Sequence, residues 1–84
     1  MAIDNVVDRE KFEEIYTKYR TLMYDVALEV LGNKEDAEDA VYQAFLYVVE
    51  NIQKIDVEGS SVEEYLVGLS KEKADGLAHK KGDL

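Results

Sequence analysis

The sequence predicts an all-α protein, a compact three-helix domain, on three observations. Apolar residues recur at steps of three and four in three separate stretches, the mark of helices that each bury one face. No run alternates with period two over the length of a strand. Proline is absent from the 84 residues, so the breaks between stretches fall to glycine and capping residues. A chain of this length makes one domain, spanning 1–84, whose small core must be economical.

The first helix is expected at about 8–31. Its apolar stripe runs through Phe12, Ile15, Tyr16, Tyr19, Leu22, Met23, Val26, Ala27 and Val30. Asp8 suits an N-cap, and Gly32-Asn33 suits an exit, because glycine enters the left-handed conformation cheaply. The second helix is expected at 34–53, on Ala37, Ala40, Val41, Ala44, Phe45, Val48, Val49 and Ile52. Asn33 with Asp36 resembles a capping box, and Glu35 and Asp36 suit the positive end of the helix dipole. Residues 56–61 read as a loop. Ser61 and Glu64 form a second capping box, opening a third helix at 62–78 on Val62, Tyr65, Leu66 and Leu69. Beyond Leu69 the pattern weakens: Gly68 and Gly76 each cost about 1 kcal/mol against alanine, and HKKGDL is expected to fray.

Composition excludes several classes of function. Cysteine is absent, which removes disulfide scaffolds, thiolate metal sites and cysteine nucleophiles, and the single histidine, His79, removes a multi-histidine site. His79 sits beside Lys80 and Lys81 with no apolar shell to position it as a base. Ser60, Ser61 and Ser70 have no base at a recognisable spacing. Glu35, Asp36, Glu38 and Asp39 lack the alternation and turn glycine of a calcium loop, so an acidic helix start is the better reading. No enzyme, cofactor or metal is expected. The acidic N-terminus MAIDNVVDRE carries no long apolar run, and no stretch approaches a membrane span, so a soluble cytoplasmic protein is expected.

The formal net charge of −9 opposes free affinity for DNA, which rests on Lys and Arg neutralising phosphates. Residues 31–56 carry 6 acids and 2 bases, whereas residues 57–84 carry 6 and 4, so any basic patch belongs to the C-terminal part.

The second helix holds one exposed surface of note. With residues ~100° apart, the core stripe centres near Val48 and Leu46 falls almost opposite, among Asp39, Gln43 and Glu50. Tyr42 and Tyr47 sit on its two shoulders. A leucine flanked by tyrosines has the composition of an interface centre, although one exposed leucine is also compatible with incidental exposure.

The segments FEEIYTKY, LGNKEDAEDAVYQAFLYVVENI and GSSVEEYLVGLSKEKA resemble region 2 of bacterial sigma factors of the sigma-70 class, closest to the extracytoplasmic-function subgroup. The resemblance covers about residues 11–80 and is most specific from Asn33 to Phe45. It implies a transcription-initiation module whose second helix docks on the clamp helices of the largest catalytic RNA polymerase subunit. The docking positions fall on Asp39, Tyr42, Gln43 and Leu46, with Tyr47 and Glu50 beside them. It also implies that the third helix and the loop before it engage the non-template strand of the −10 promoter element, with Tyr65, Lys71 and Lys73 as contacts.

The chain departs from the family pattern at several of these positions. Tyr42-Gln43 stands where the family usually has Gln-Glu, and Val49 where it often has tryptophan. Tyr65 keeps an aromatic able to stack on an unpaired base, while Glu63, Glu64 and Glu72 stand where phosphate would approach. The helix-turn-helix that reads the upstream promoter element has no counterpart here. Two functions follow as expectations. One is a polymerase-binding subunit, working with a helix-turn-helix co-subunit or excised from a longer factor, and contacting promoter DNA weakly or only within the holoenzyme. The other is a sigma mimic that occupies an anti-sigma factor.

Overall fold

A computed structural model describes residues 6–56, 59 and 61–82. The expected domain 1–84 and the loop at 56–61 extend beyond these at 1–5, 57, 58, 60 and 83–84. Helix α1 spans Val6–Leu31, α2 spans Lys34–Glu50, a 3₁₀ turn covers Ile52–Lys54, and α3 spans Val62–Gly82. Among the described residues there is no strand, and the three-helix, all-α prediction holds.

Each helix boundary has a local cause. Gly32 takes φ +67°, and its N–H donates to the Leu28 carbonyl at 2.7 Å, which closes α1. Asn33 caps α2 as the sequence predicts, its Oδ1 accepting the Asp36 N–H at 3.1 Å. The expected second helix, 34–53, is cut short because Asn51 intervenes. Its Nδ2 donates to the Tyr47 carbonyl at 2.8 Å and its N–H is shared between the Tyr47 and Val48 carbonyls, tightening the chain into the 3₁₀ turn. Asp8 is not an N-cap. It lies inside the first turn of α1, where its Oδ2 accepts from Gln53 Nε2 at 3.1 Å and fastens the start of α1 to the 3₁₀ turn.

That contact sets α2 antiparallel to α1. Helix α3 packs against both α1 and α2, and Tyr47 near the end of α2 neighbours both Tyr65 and Lys73, two turns apart on α3. The resulting bundle measures 42 × 27 × 18 Å, and α1 runs along its length. The core comprises Ile15, Tyr19, Met23 and Ala27 from α1 and Ala37, Ala40, Val41, Ala44, Phe45 and Val48 from α2. Ile52, Ile55, Val62, Leu66, Leu69 and Ala74 complete it. Phe45 meets the Phe12 ring edge-on at 5.8 Å and the Tyr16 ring at 5.0 Å between centroids.

The α2 stripe is buried as expected, with Val49 half-buried. Two stripes need correction. On α1, Tyr16 and Val30 are exposed, because the buried line steps by four residues and winds around the helix to serve both α2 and α3. On α3, Tyr65 is exposed and the stripe continues through Ser70 and Ala74. Ser70 is tolerated in the core because its Oγ donates to the Leu66 carbonyl at 2.9 Å. The expected end at 78 also gives way, since α3 continues through His79 to Gly82, while the rest of HKKGDL, 83–84, lies outside the described residues.

Candidate functional site

The outer face of α2 presents Asp39, Tyr42, Leu46, Tyr47 and Glu50 as exposed residues, while Gln43 is half-buried. Tyr42 is 63% exposed and Leu46 37%, whereas Val48 on the opposite side is 0% exposed, so the rotation of the helix is as the sequence predicts. Leu46 is therefore partly covered and offers an apolar edge on that face. Acidic Asp39 and Glu50 lie on the same face.

This face is not one flat patch. Measured from Val48, Tyr42 lies ~120° to one side and Tyr47 ~100° to the other, so each belongs to a different groove. Tyr42 joins Tyr16, Arg20, Thr21, Tyr24, Glu38 and Val41 along the α1–α2 seam. There Arg20 stacks over the Tyr16 ring at 5.2 Å and its Nη1 donates to the Tyr16 hydroxyl at 3.3 Å. Tyr16, Arg20 and Tyr24 escaped the sequence reading as surface residues. Their signal was available: they recur at steps of four along the edge of the α1 stripe.

Tyr47 belongs to the α2–α3 seam. With Glu64, Tyr65, Gly68, Leu69 and Glu72 it lines a groove, and Lys73 Nζ stands 5.4 Å from the centre of its ring. An adjoining depression carries Tyr47 and Tyr65 on to Asn51, Lys54, Ile55, Asp56, Ser61 and Val62. The Tyr65 hydroxyl is held above its ordinary pKa by burial first, then by the adjacent Tyr47, the hydrogen bond between them and the Glu72 carboxylate. The phenol therefore stays neutral at physiological pH.

The structure thus brings together Tyr47, Tyr65 and Lys73, which the sequence had divided between a partner face and a nucleic-acid contact. It separates Lys71, which is exposed and lies ~120° around α3 from Tyr65. Glu63, Glu64 and Glu72 are exposed near the start and middle of α3. Among the described residues, no group of three or more His, Cys, Asp or Glu side chains could hold a metal ion. Nor is any described helix long and apolar enough to cross a membrane.

The family described as Sigma-70 region 2 matches the chain over residues 15–74, from the middle of α1 to the middle of α3. No curated protein and no solved structure matches it.

Proposed function

The chain belongs to the Sigma-70 region 2 family of non-enzymatic transcription-initiation domains, and on that premise we propose that α2 docks it on RNA polymerase. The proposed partner surface is the clamp-helix pair of the largest catalytic subunit, which places the protein in the cytoplasm. The observation that carries this reading is the exposure of Tyr42 and Leu46 on the face of α2 turned away from Val48, within the matched segment. Leu46 supplies the apolar centre of the contact. Tyr42 supplies an aromatic flank, and Asp39 and Glu50 the acidic rim, with half-buried Gln43 between them. In this reading a helix-turn-helix co-subunit, or a further part of a longer factor, reads the upstream promoter element.

A second reading is favoured by one specific observation, the exposed Glu63, Glu64 and Glu72 on α3. These carboxylates oppose a phosphate backbone, as does the net charge of −9. A sigma mimic that occupies an anti-sigma factor would use the same α2 face without needing DNA.

The test is Leu46→Glu. Glutamate suits an exposed helical position, so the fold should stay within about 1 kcal/mol of the parent. A charge at the centre of a desolvated contact loses its hydration without a counterpart, so binding should fall by tenfold or more. Pull-downs use the polymerase clamp helices and a candidate anti-sigma factor, with Glu29→Gln on the exposed side of α1 as the control. Capture by the clamp helices that disappears in Leu46→Glu supports polymerase docking. Loss only with the anti-sigma factor selects the mimic. A folded Leu46→Glu that binds both partners like the parent refutes the docking face.

A further inference from the structure

We propose that the groove between α2 and α3 is a receptor for the cationic side chain of a basic protein segment, an arginine or lysine held between the Tyr47 and Tyr65 rings and the Glu64 and Glu72 carboxylates. Tyr47 borders both surfaces, but the other residues of this site lie on α3, apart from the Tyr42–Leu46 docking surface, and it does not depend on what that surface binds.

The lining sets the chemistry. Of the groove residues Tyr47, Glu64, Tyr65, Gly68, Leu69 and Glu72, the two charged ones are both acidic. Both tyrosines are 40% exposed, so part of each ring remains open to a ligand. Ring faces carry negative potential and attract cations to within about 6 Å of their centres. The Tyr47 ring already shows this behaviour, since Lys73 Nζ stands 5.4 Å from its centroid. Gly68 leaves space on the α3 side: a Cβ built there would meet nothing within 4 Å beyond its own helix backbone, so an incoming alkyl stem has room to lie along it. Leu69 offers that stem an apolar wall. Tyr65 remains a neutral phenol, able to donate its proton or accept a hydrogen bond beside the guest.

The same lining disfavours single-stranded nucleic acid. A base could stack on Tyr65, but its phosphates would then approach Glu64 and Glu72. Of the α3 lysines, Lys73 stands at the Tyr47 ring and offsets one of the two carboxylates, which leaves the groove acidic, while Lys71 lies ~120° around the helix from Tyr65 and adds nothing to it. In the adjoining depression the charges of Lys54 and Asp56 offset each other and add no anion site. Charge complementarity therefore selects a protein segment bearing arginine or lysine.

The full chain is titrated at low salt with a short alternating arginine–alanine peptide and, separately, with oligothymidylate, following the ring-proton resonances of Tyr47 and Tyr65. The peptide should shift both rings saturably, and Glu64→Gln combined with Glu72→Gln should weaken it about fivefold or more. Glu13→Gln with Glu14→Gln removes the same charge from an exposed stretch of α1 and should leave the affinity close to that of the parent. Three results would overturn the proposal: saturable ring shifts with oligothymidylate matching those of the peptide, equal weakening in the two charge-matched variants, or no response of either ring to the peptide. Clamp binding by Leu46→Glu is read separately, so either surface can fail alone.

Discussion

Replacing Gly68 and Gly76 by alanine should stabilise the protein. Both glycines are exposed and lie inside α3, and at each a new Cβ would meet nothing within 4 Å outside the local helix backbone. No clash offsets the gain, which comes from helix propensity and from the reduced freedom of the unfolded chain. In a helix interior the exchange is worth roughly 0.8–1.0 kcal/mol. Gly76 lies closer to the C-terminal end of α3, so the pair together should give about 1.5 kcal/mol. The two sites are eight residues apart, ~12 Å along the axis, so their effects should add. For a domain of this size each kcal/mol moves Tm by about 4–8 °C, which sets the expected rise for the double variant at roughly 6–12 °C. Thermal unfolding followed by circular dichroism measures it, with each single variant run separately. A single variant whose Tm is unchanged or lower would refute a continuous, open-sided α3 at that position. Gly68→Ala carries a second consequence, because Gly68 lines the groove that Tyr47 also lines; it should weaken the arginine–alanine peptide while raising Tm.

Phe45→Ala should cost about 3–5 kcal/mol, since the ring is 6% exposed and packs against Phe12 and Tyr16. Loss of a cooperative melt, or a fall in Tm of ~12 °C or more, is expected, and a shift of only a few degrees would contradict that packing. Asn33→Ala removes the acceptor for the Asp36 N–H and should cost about 1 kcal/mol, whereas Asn33→Asp should be nearly neutral; equal melting of the two would deny the cap. Tyr65 titrates higher in the folded state than its ordinary 10.0, so its contribution is complete below that pH and is lost as pH rises through the folded value. Alkaline melting curves of Tyr65→Phe should therefore fall less steeply than those of the parent, and identical slopes would remove the linkage.

Sequence pattern was most informative where one helix buries one face in large apolar residues. The α2 stripe from Ala37 to Val48 was legible for that reason, and with it the orientation of Leu46. It failed where burial depends on two neighbours at once. Tyr16 fits the α1 period but sits at the α1–α2 seam, half serving the ring cluster and half holding Arg20. Ser70 and Ala74 are core residues too small or too polar to register as part of an apolar repeat. The grooves were invisible for a related reason. A helical wheel positions Tyr47 relative to its own core, but only the partner helix shows that Tyr65, Glu64 and Glu72 share its groove.

The short joint at Gly32-Asn33 also bears on the order in which the molecule assembles. Two residues separate α1 from α2, whereas eleven separate α2 from α3. Closing the shorter loop costs less entropy, and contacts near in sequence form sooner, so the α1–α2 hairpin is the expected folding nucleus. The third helix, which packs against both α1 and α2, then condenses on the hairpin. Its own glycines slow any independent start, because a helix with poor propensity rarely nucleates alone. During synthesis the three helices emerge in that same order, α3 last.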